Sequence, residues 1–170
     1  MKYLLIALIG GVMAVPAVAQ TDLISHYRPA TDACVQVAEG SQGLEACHPL
    51  LSTACMEQEP GGQTTQGMAM CIQAEWRLWD EYLNAEYAET MDLMRSLDAS
   101  DRETLPEYAV RADQLRAAQR AWIAFRDADC AMRHAFWGSG SMRAITGTSC
   151  MSERTFQRVQ DLIHFREYLP

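Results

Sequence analysis

From Met68 to Leu97 the chain keeps a helical beat. Met68, Ile72, Trp76, Trp79, Leu83, Tyr87, Thr90, Met94 and Leu97 step along one face. So long a stripe predicts one long amphipathic helix that buries this side against a neighbour. Thr64 and Thr65 offer N-caps before it. The polar stretch "DASDRETLP" follows as a connector, and Pro106 suits the first turn of a second helix. That helix is expected to run through Trp137, where "GSGS" stops it. A loop, "GSGSMRAITGTSC", then leads to a third helix from about Met151 to Tyr168, with Phe156, Val159, Leu162, Ile163 and Phe165 as its apolar side. No segment alternates with period two, so the fold class is mainly α.

The second helix carries a puzzle. In "LRAAQRAWIAFRDADC", Leu115, Ala118, Trp122 and Phe125 recur at helical spacing, yet Gln119, Arg126 and Asp129 fall on the same side. A short connector makes the first two helices an antiparallel hairpin. With Trp79 and Trp122 level, Asp80 faces Arg126, Tyr87 faces Gln119 and Trp76 faces Cys130. A buried pair of this kind fixes register more than it adds stability.

Other features frame this hairpin. The opening "MKYLLIALIGGVMAVPAVAQ" reads as a secretory signal peptide, residues 1–19, cleaved after Ala19. Its apolar run is short for a membrane span. Residues 20–64 form a cysteine-rich N-terminal segment, punctuated by glycine and proline, with two short helical pieces expected near 31–38 and 44–56. Residues 65–170 form the helical domain. Cys34, Cys47, Cys55, Cys71, Cys130 and Cys150 give an even count in an exported chain, which implies disulfides in one of 15 pairings. There is no Cys-x-x-Cys, and His26, His48, His134 and His164 are scattered, so no metal or other cofactor is expected.

The charge is lopsided. Lys2 is the only lysine and lies in the signal segment, leaving 13 arginines against 22 acids. Residues 20–110 carry a net charge of −12 and residues 111–170 a net +3. Long-range electrostatics therefore disfavour nucleic acid and anionic lipid, and favour a basic protein partner.

Several segments carry a resemblance. "WDEYLNAEY" is similar to the D-x-x-L-N-x-x-Y signature of the LprI-like lysozyme-inhibitor family of secreted bacterial proteins, through Asp80, Asn84 and Tyr87. "LRAAQRAWIAFRDADC" resembles its second signature, through Gln119, Trp122, Arg126, Asp127 and Cys130. "GSGS" with Cys150, and "TFQRVQDL" with Arg158, resemble its later elements. The resemblance spans about residues 55–165. It implies a helical periplasmic or surface domain, with one member group tied to lysozyme inhibition. It also implies Cys55–Cys71 and Cys130–Cys150 bridges, beside which Cys34 and Cys47 remain as a third pair.

Enzyme motifs are absent: no nucleophile elbow, phosphate loop, H-E-x-x-H or redox dithiol occurs. The expected function is a periplasmic or secreted binding protein that inhibits lysozyme or a related cell-wall hydrolase, not an enzyme. An envelope interaction or stress module with another protein partner is the alternative. Lysozyme cuts with two carboxylates in a cleft. A loop closed by the Cys130–Cys150 bridge, with Arg143 near its tip and Ser139, Ser141 and His134 beside it, is the expected cleft-facing element.

Overall fold

Thr64 starts the longest helix. Its side chain accepts the Gly67 backbone N–H at 3.0 Å, capping α4 (Thr65–Asp101). In the computed structural model, which describes residues 18–169, and side chains from 22, the chain forms six α-helices. The signal segment expected over residues 1–19 lies, through residue 17, outside the described residues. Before α4 come α1 (Val18–Val37), the single turn α2 (Gly40–Gly43), a 3-10 turn (Leu44–Cys47) and α3 (Leu50–Gln58). After it come α5 (Arg111–Phe136) and α6 (Met142–Glu167). No strand occurs among the described residues.

α4 and α5 form the antiparallel hairpin, and α6 returns alongside both. Arg126 of α5 lies near Asp80 of α4, while Asp98 near the end of α4 meets Arg111 at the start of α5. α6 runs parallel to α4. Phe156 packs on Trp79, with ring centroids 4.7 Å apart, and Arg166 reaches Glu86 and Thr90 further along. α4 is thus covered on several sides. Its buried residues include Cys71, Ala74, Glu75 and Leu78 as well as Trp79, Leu83 and Met94.

Three apolar clusters lie along α4. Leu23 and Tyr27 of α1 meet Leu51 and Cys55 of α3 on Cys71, Ala74 and Leu78. Trp79 and Leu83 form the middle with Leu44, Cys47, Phe156, Val159 and Leu162. Met91, Met94 and Ala112 close the far end. Three bridges fasten the helices: Cys34–Cys47, Cys55–Cys71 and Cys130–Cys150.

Four expected elements differ. Pro106 lies not in the first turn of α5 but in a separate 3-10 turn (Pro106–Tyr108), and α5 starts at Arg111. The short helix near 31–38 is the end of a much longer one, because Leu23, Tyr27 and Thr31, spaced four apart, give α1 a narrow stripe to bury on α4. The piece near 44–56 is broken at Pro49 into a 3-10 turn and α3. Residues 142–150 are not loop but the first third of α6. Gly147 permits this: a Cβ there would sit 3.1 Å from the His134 side chain of α5. Burial also corrects two side chains. Phe125 is 55% exposed and Phe165 46% exposed, off the faces first given to them.

Asp98 shows how the hairpin turns. Val110 precedes α5 without a side-chain cap. Instead the Asp98 carboxylate accepts the N–H groups of Arg111 and Ala112, each at 3.0 Å. An acceptor from the preceding helix satisfies two of the orphan donors. Asp98→Ala should therefore speed amide hydrogen exchange at Arg111 and Ala112 by about tenfold or more, with the middle of α5 unchanged. Unaltered exchange at both amides would show that the cap is idle.

Candidate functional site: a stapled hairpin tip

α5 ends at Phe136 because Gly138 turns the chain with φ of +53°, a conformation that favours glycine. The Gly138 N–H donates to Ala135 O at 3.0 Å, and the Gly140 N–H to Trp137 O at 2.8 Å. Ser141 then precedes α6. Ser139 and Ser141 are exposed in this five-residue turn. The Cys130–Cys150 bridge, with Cα atoms 5.4 Å apart, fastens the two helices behind it. Arg154 Nε and Nη2 donate to Asp129 Oδ2 at 3.1 and 3.0 Å, and Arg133 pairs with the same oxygen at 3.3 Å.

The tip presents apolar surface. Phe136 is 80% exposed, and Trp137 and Met142 are exposed beside it. Phe136 and Trp137 meet edge to face, 5.8 Å between ring centroids. Met132 and Phe125 extend the apolar surface back along α5 at helical spacing. The sequence carries a signal for this: two large aromatics directly precede a Gly-Ser turn, where burial has no helix left to supply it.

The residues singled out from sequence fall into two groups. Arg143 is not at a loop tip. It lies in the first turn of α6, and its Nε donates to His134 Nε2 at 3.2 Å, which puts the His134 proton on Nδ1. Arg143 and His134 thus flank the tip rather than crown it. Asp80 stands 3.8 Å from Arg126, whose Nε donates to Asp127 at 3.0 Å. Arg126 also lies over Trp122, 5.0 Å from the ring centroid. Asn84 Nδ2 donates to Asp80 at 3.3 Å.

Gln119 takes its hydrogen bond from α6. Its amide oxygen accepts from Arg158 Nε of α6 at 3.0 Å, while Tyr87 packs in the cluster with Leu115 and Trp122. Asp129 likewise looks to Arg154 of α6. The polar stripe of α5 is therefore matched chiefly by guanidinium groups on α6.

Two other arrangements are structural. Asp129, Cys130 and Cys150 lie close together, but the sulfurs are bonded to each other and the carboxylate is taken by Arg154, so they offer no donor set for a metal. His48 Nε2 sits 3.1 Å from Ser152 Oγ, a pair that resembles a nucleophile and base. Ser152 is only 2% exposed. Burial lowers the His48 pKa to about 4, keeping it neutral near pH 7.

Charge divides the surface. Glu81, Glu89, Asp92, Glu103 and Glu107 are exposed along α4 and its connector, while Arg133 and Arg143 lie at the tip. No helix among the described residues is long and apolar enough to cross a membrane.

An uncharacterized protein of Rhizobium meliloti (strain 1021) is 30% identical over 98 residues, which make up 58% of this chain and 70% of that protein. No solved structure matches the chain. The family described as Lysozyme inhibitor LprI matches residues 55–162, from the first cysteine of the Cys55–Cys71 bridge to Leu162 in the core of α6. The chain belongs to the LprI family of lysozyme inhibitors.

Proposed function

We propose that this protein acts in the periplasm or outside the cell as an inhibitor of lysozyme or a related cell-wall hydrolase, and that the α5–α6 tip enters the hydrolase cleft. The observation that carries this is the tip itself: Phe136, 80% exposed, on a hairpin held rigid by Cys130–Cys150. A glycosidase cleft holds two carboxylates between sugar-binding walls. Exposed aromatics match such walls, and Arg133 and Arg143 supply positive charge beside carboxylates. Preorganisation by the bridge lowers the ordering cost of binding. The acidic face of α4 attracts a basic hydrolase from a distance.

A lytic assay on bacterial cell walls with a basic lysozyme tests this. Adding the protein should slow lysis, and the association rate should fall as salt rises, since the Debye length shrinks from ~10 Å at 0.1 M to ~3 Å at 1 M. Unslowed lysis by basic lysozymes of several types would favour an envelope module with a different protein partner.

A further inference from the structure

The two ends of α5 differ in shape. At its C-terminal end stands the exposed pair Phe136 and Trp137, a knob. At its N-terminal end an open pocket of about 540 Å³ lies between α4, α5 and α6. That volume is in the range of small-ligand sites, ~300–1,000 Å³, and large enough for aromatic side chains. Met94, Leu115, Ala118, Leu162 and Leu169 give this socket an apolar lining, and Phe165 lines it while remaining exposed. α5 has 26 residues, so knob and socket stand about 40 Å apart at ~1.5 Å per residue. The knob of one molecule cannot reach its own socket.

The two ends also differ in charge. Residues 131–149, which form the knob and its flanks, hold Arg133 and Arg143 and no acid. Arg133 shares the Asp129 carboxylate with Arg154, so that carboxylate does not neutralise both. Residues 98–116, around the socket, hold five acids against three arginines. In the socket lining, Arg111 is held by Asp98 and Asp101, and Arg158 is offset by Asp161. Glu103 and Glu107 are exposed and make no ion pair among the described residues. Surplus carboxylates disfavour an anionic occupant such as a fatty acid. They favour an apolar group carried next to positive charge. Phe136 and Trp137, between Arg133 and Arg143 in the chain, are such a group.

We propose that the protein associates head to tail with a second copy of itself, the Phe136–Trp137 knob of one copy entering the socket of the next. Arg133 and Arg143 then lie toward the acids around the socket. Knob and socket are different surfaces, so the contact is heterologous and repeats into a ring or an open chain. An engaged knob is withheld from any other cleft. The association itself needs no hydrolase.

The test is sedimentation velocity of the protein alone. The contact belongs to the weak class below ~1,200 Å², so oligomers should grow as protein rises from about 10 μM to about 1 mM. They should recede in 1 M salt, where the Debye length is ~3 Å. Phe136→Ser/Trp137→Ser removes the knob, and Ala118→Trp fills the socket. Each variant, with its melting temperature near the native value, should raise the dissociation constant at least about 30-fold and run as a monomer. Mixed together, they hold one intact knob and one intact socket, and should form a one-to-one dimer and nothing larger. Glu103→Lys/Glu107→Lys, which leaves the socket open, should weaken association about tenfold. A native protein that stays monomeric, oligomers that survive loss of the knob, or a mixture of folded variants that stays monomeric would each overturn the proposal. Uptake of decanoate by a monomeric native protein would give the socket to a lipid and overturn it as well. Failure of lysozyme inhibition in the lytic assay would leave this result untouched.

Discussion

Replacing Glu75 by alanine is expected to lower the unfolding free energy by about 3 kcal/mol, measured by urea denaturation at pH 7 with the m-value unchanged. Glu75 is fully buried in α4. Oε2 accepts the Ser52 backbone N–H of α3 at 2.7 Å, and Oε1 accepts Trp79 Nε1 at 2.6 Å. Alanine would strand both donors in the core, each at a cost of ~1–3 kcal/mol, and leave a void beside the Cys55–Cys71 bridge. Relief from burying a carboxyl group offsets part of that loss. Burial pushes the Glu75 carboxyl above its ordinary range, against the pull of the Ser52 and Trp79 N–H groups. The folded state therefore holds this proton more tightly than the unfolded state, and the residue's contribution declines as pH rises above the ordinary value of 4.5. Glu75→Gln keeps the volume and one acceptor, so it should cost less than alanine. Its deficit relative to the native chain should be larger at pH 5 than at pH 8. An alanine variant as stable as the native protein would mean that α3 is not tied to α4 through this carboxyl.

His48 should act in the opposite direction. Its ring stacks on Phe156 at 4.6 Å and meets Trp79 edge-on at 6.0 Å, while Nε2 engages Ser152. Burial lowers its pKa from 6.5 to about 4, with Glu45 partly opposing the shift. The unfolded chain takes up a proton near 6.5 that the folded chain refuses until about 4. Stability from this residue is then fully present above 6.5 and is lost as pH falls between those values. The full shift corresponds to about 3 kcal/mol, reduced to about 2 by the solvent access the ring retains. His48→Gln should remove that slope between pH 6.5 and 4. An identical slope in the variant would assign acid sensitivity to another group.

How far these features were legible follows from where the partners lie. The stripe from Met68 to Leu97 announces α4 because one helix face states itself locally. Asp80 and Arg126 come within reach of each other because hairpin register follows from two tryptophans. The start of α6 was hidden. Gly147, between Thr146 and Thr148, carries a poor intrinsic helix propensity, ~1 kcal/mol below alanine. Packing against His134 and the bridge at Cys150 overrides it. Arg154 lies beyond that hidden length, in the part of α6 the sequence does announce, but the register of α6 against α5 cannot be read from the first hairpin, so the partner of Asp129 stayed hidden. α1 escaped notice because its buried stripe is a single residue wide per turn. His48 is opaque for a different reason: Ser152 and Phe156 lie more than 100 residues away in sequence. The exposed tip is the reverse case. Phe136 and Trp137 look like core residues by type, and only their place before a glycine turn marks them as surface.

The claim that this tip enters a hydrolase cleft is tested most directly by the inhibition constant of Phe136→Ser/Trp137→Ser against a basic lysozyme that the native protein inhibits. Loss of a central aromatic anchor costs ~2 kcal/mol or more at an interface, so the variant's inhibition constant should rise at least about 30-fold while its melting temperature stays within a few degrees of the native value. An unchanged inhibition constant in a folded variant would contradict the account and move the contact to another surface.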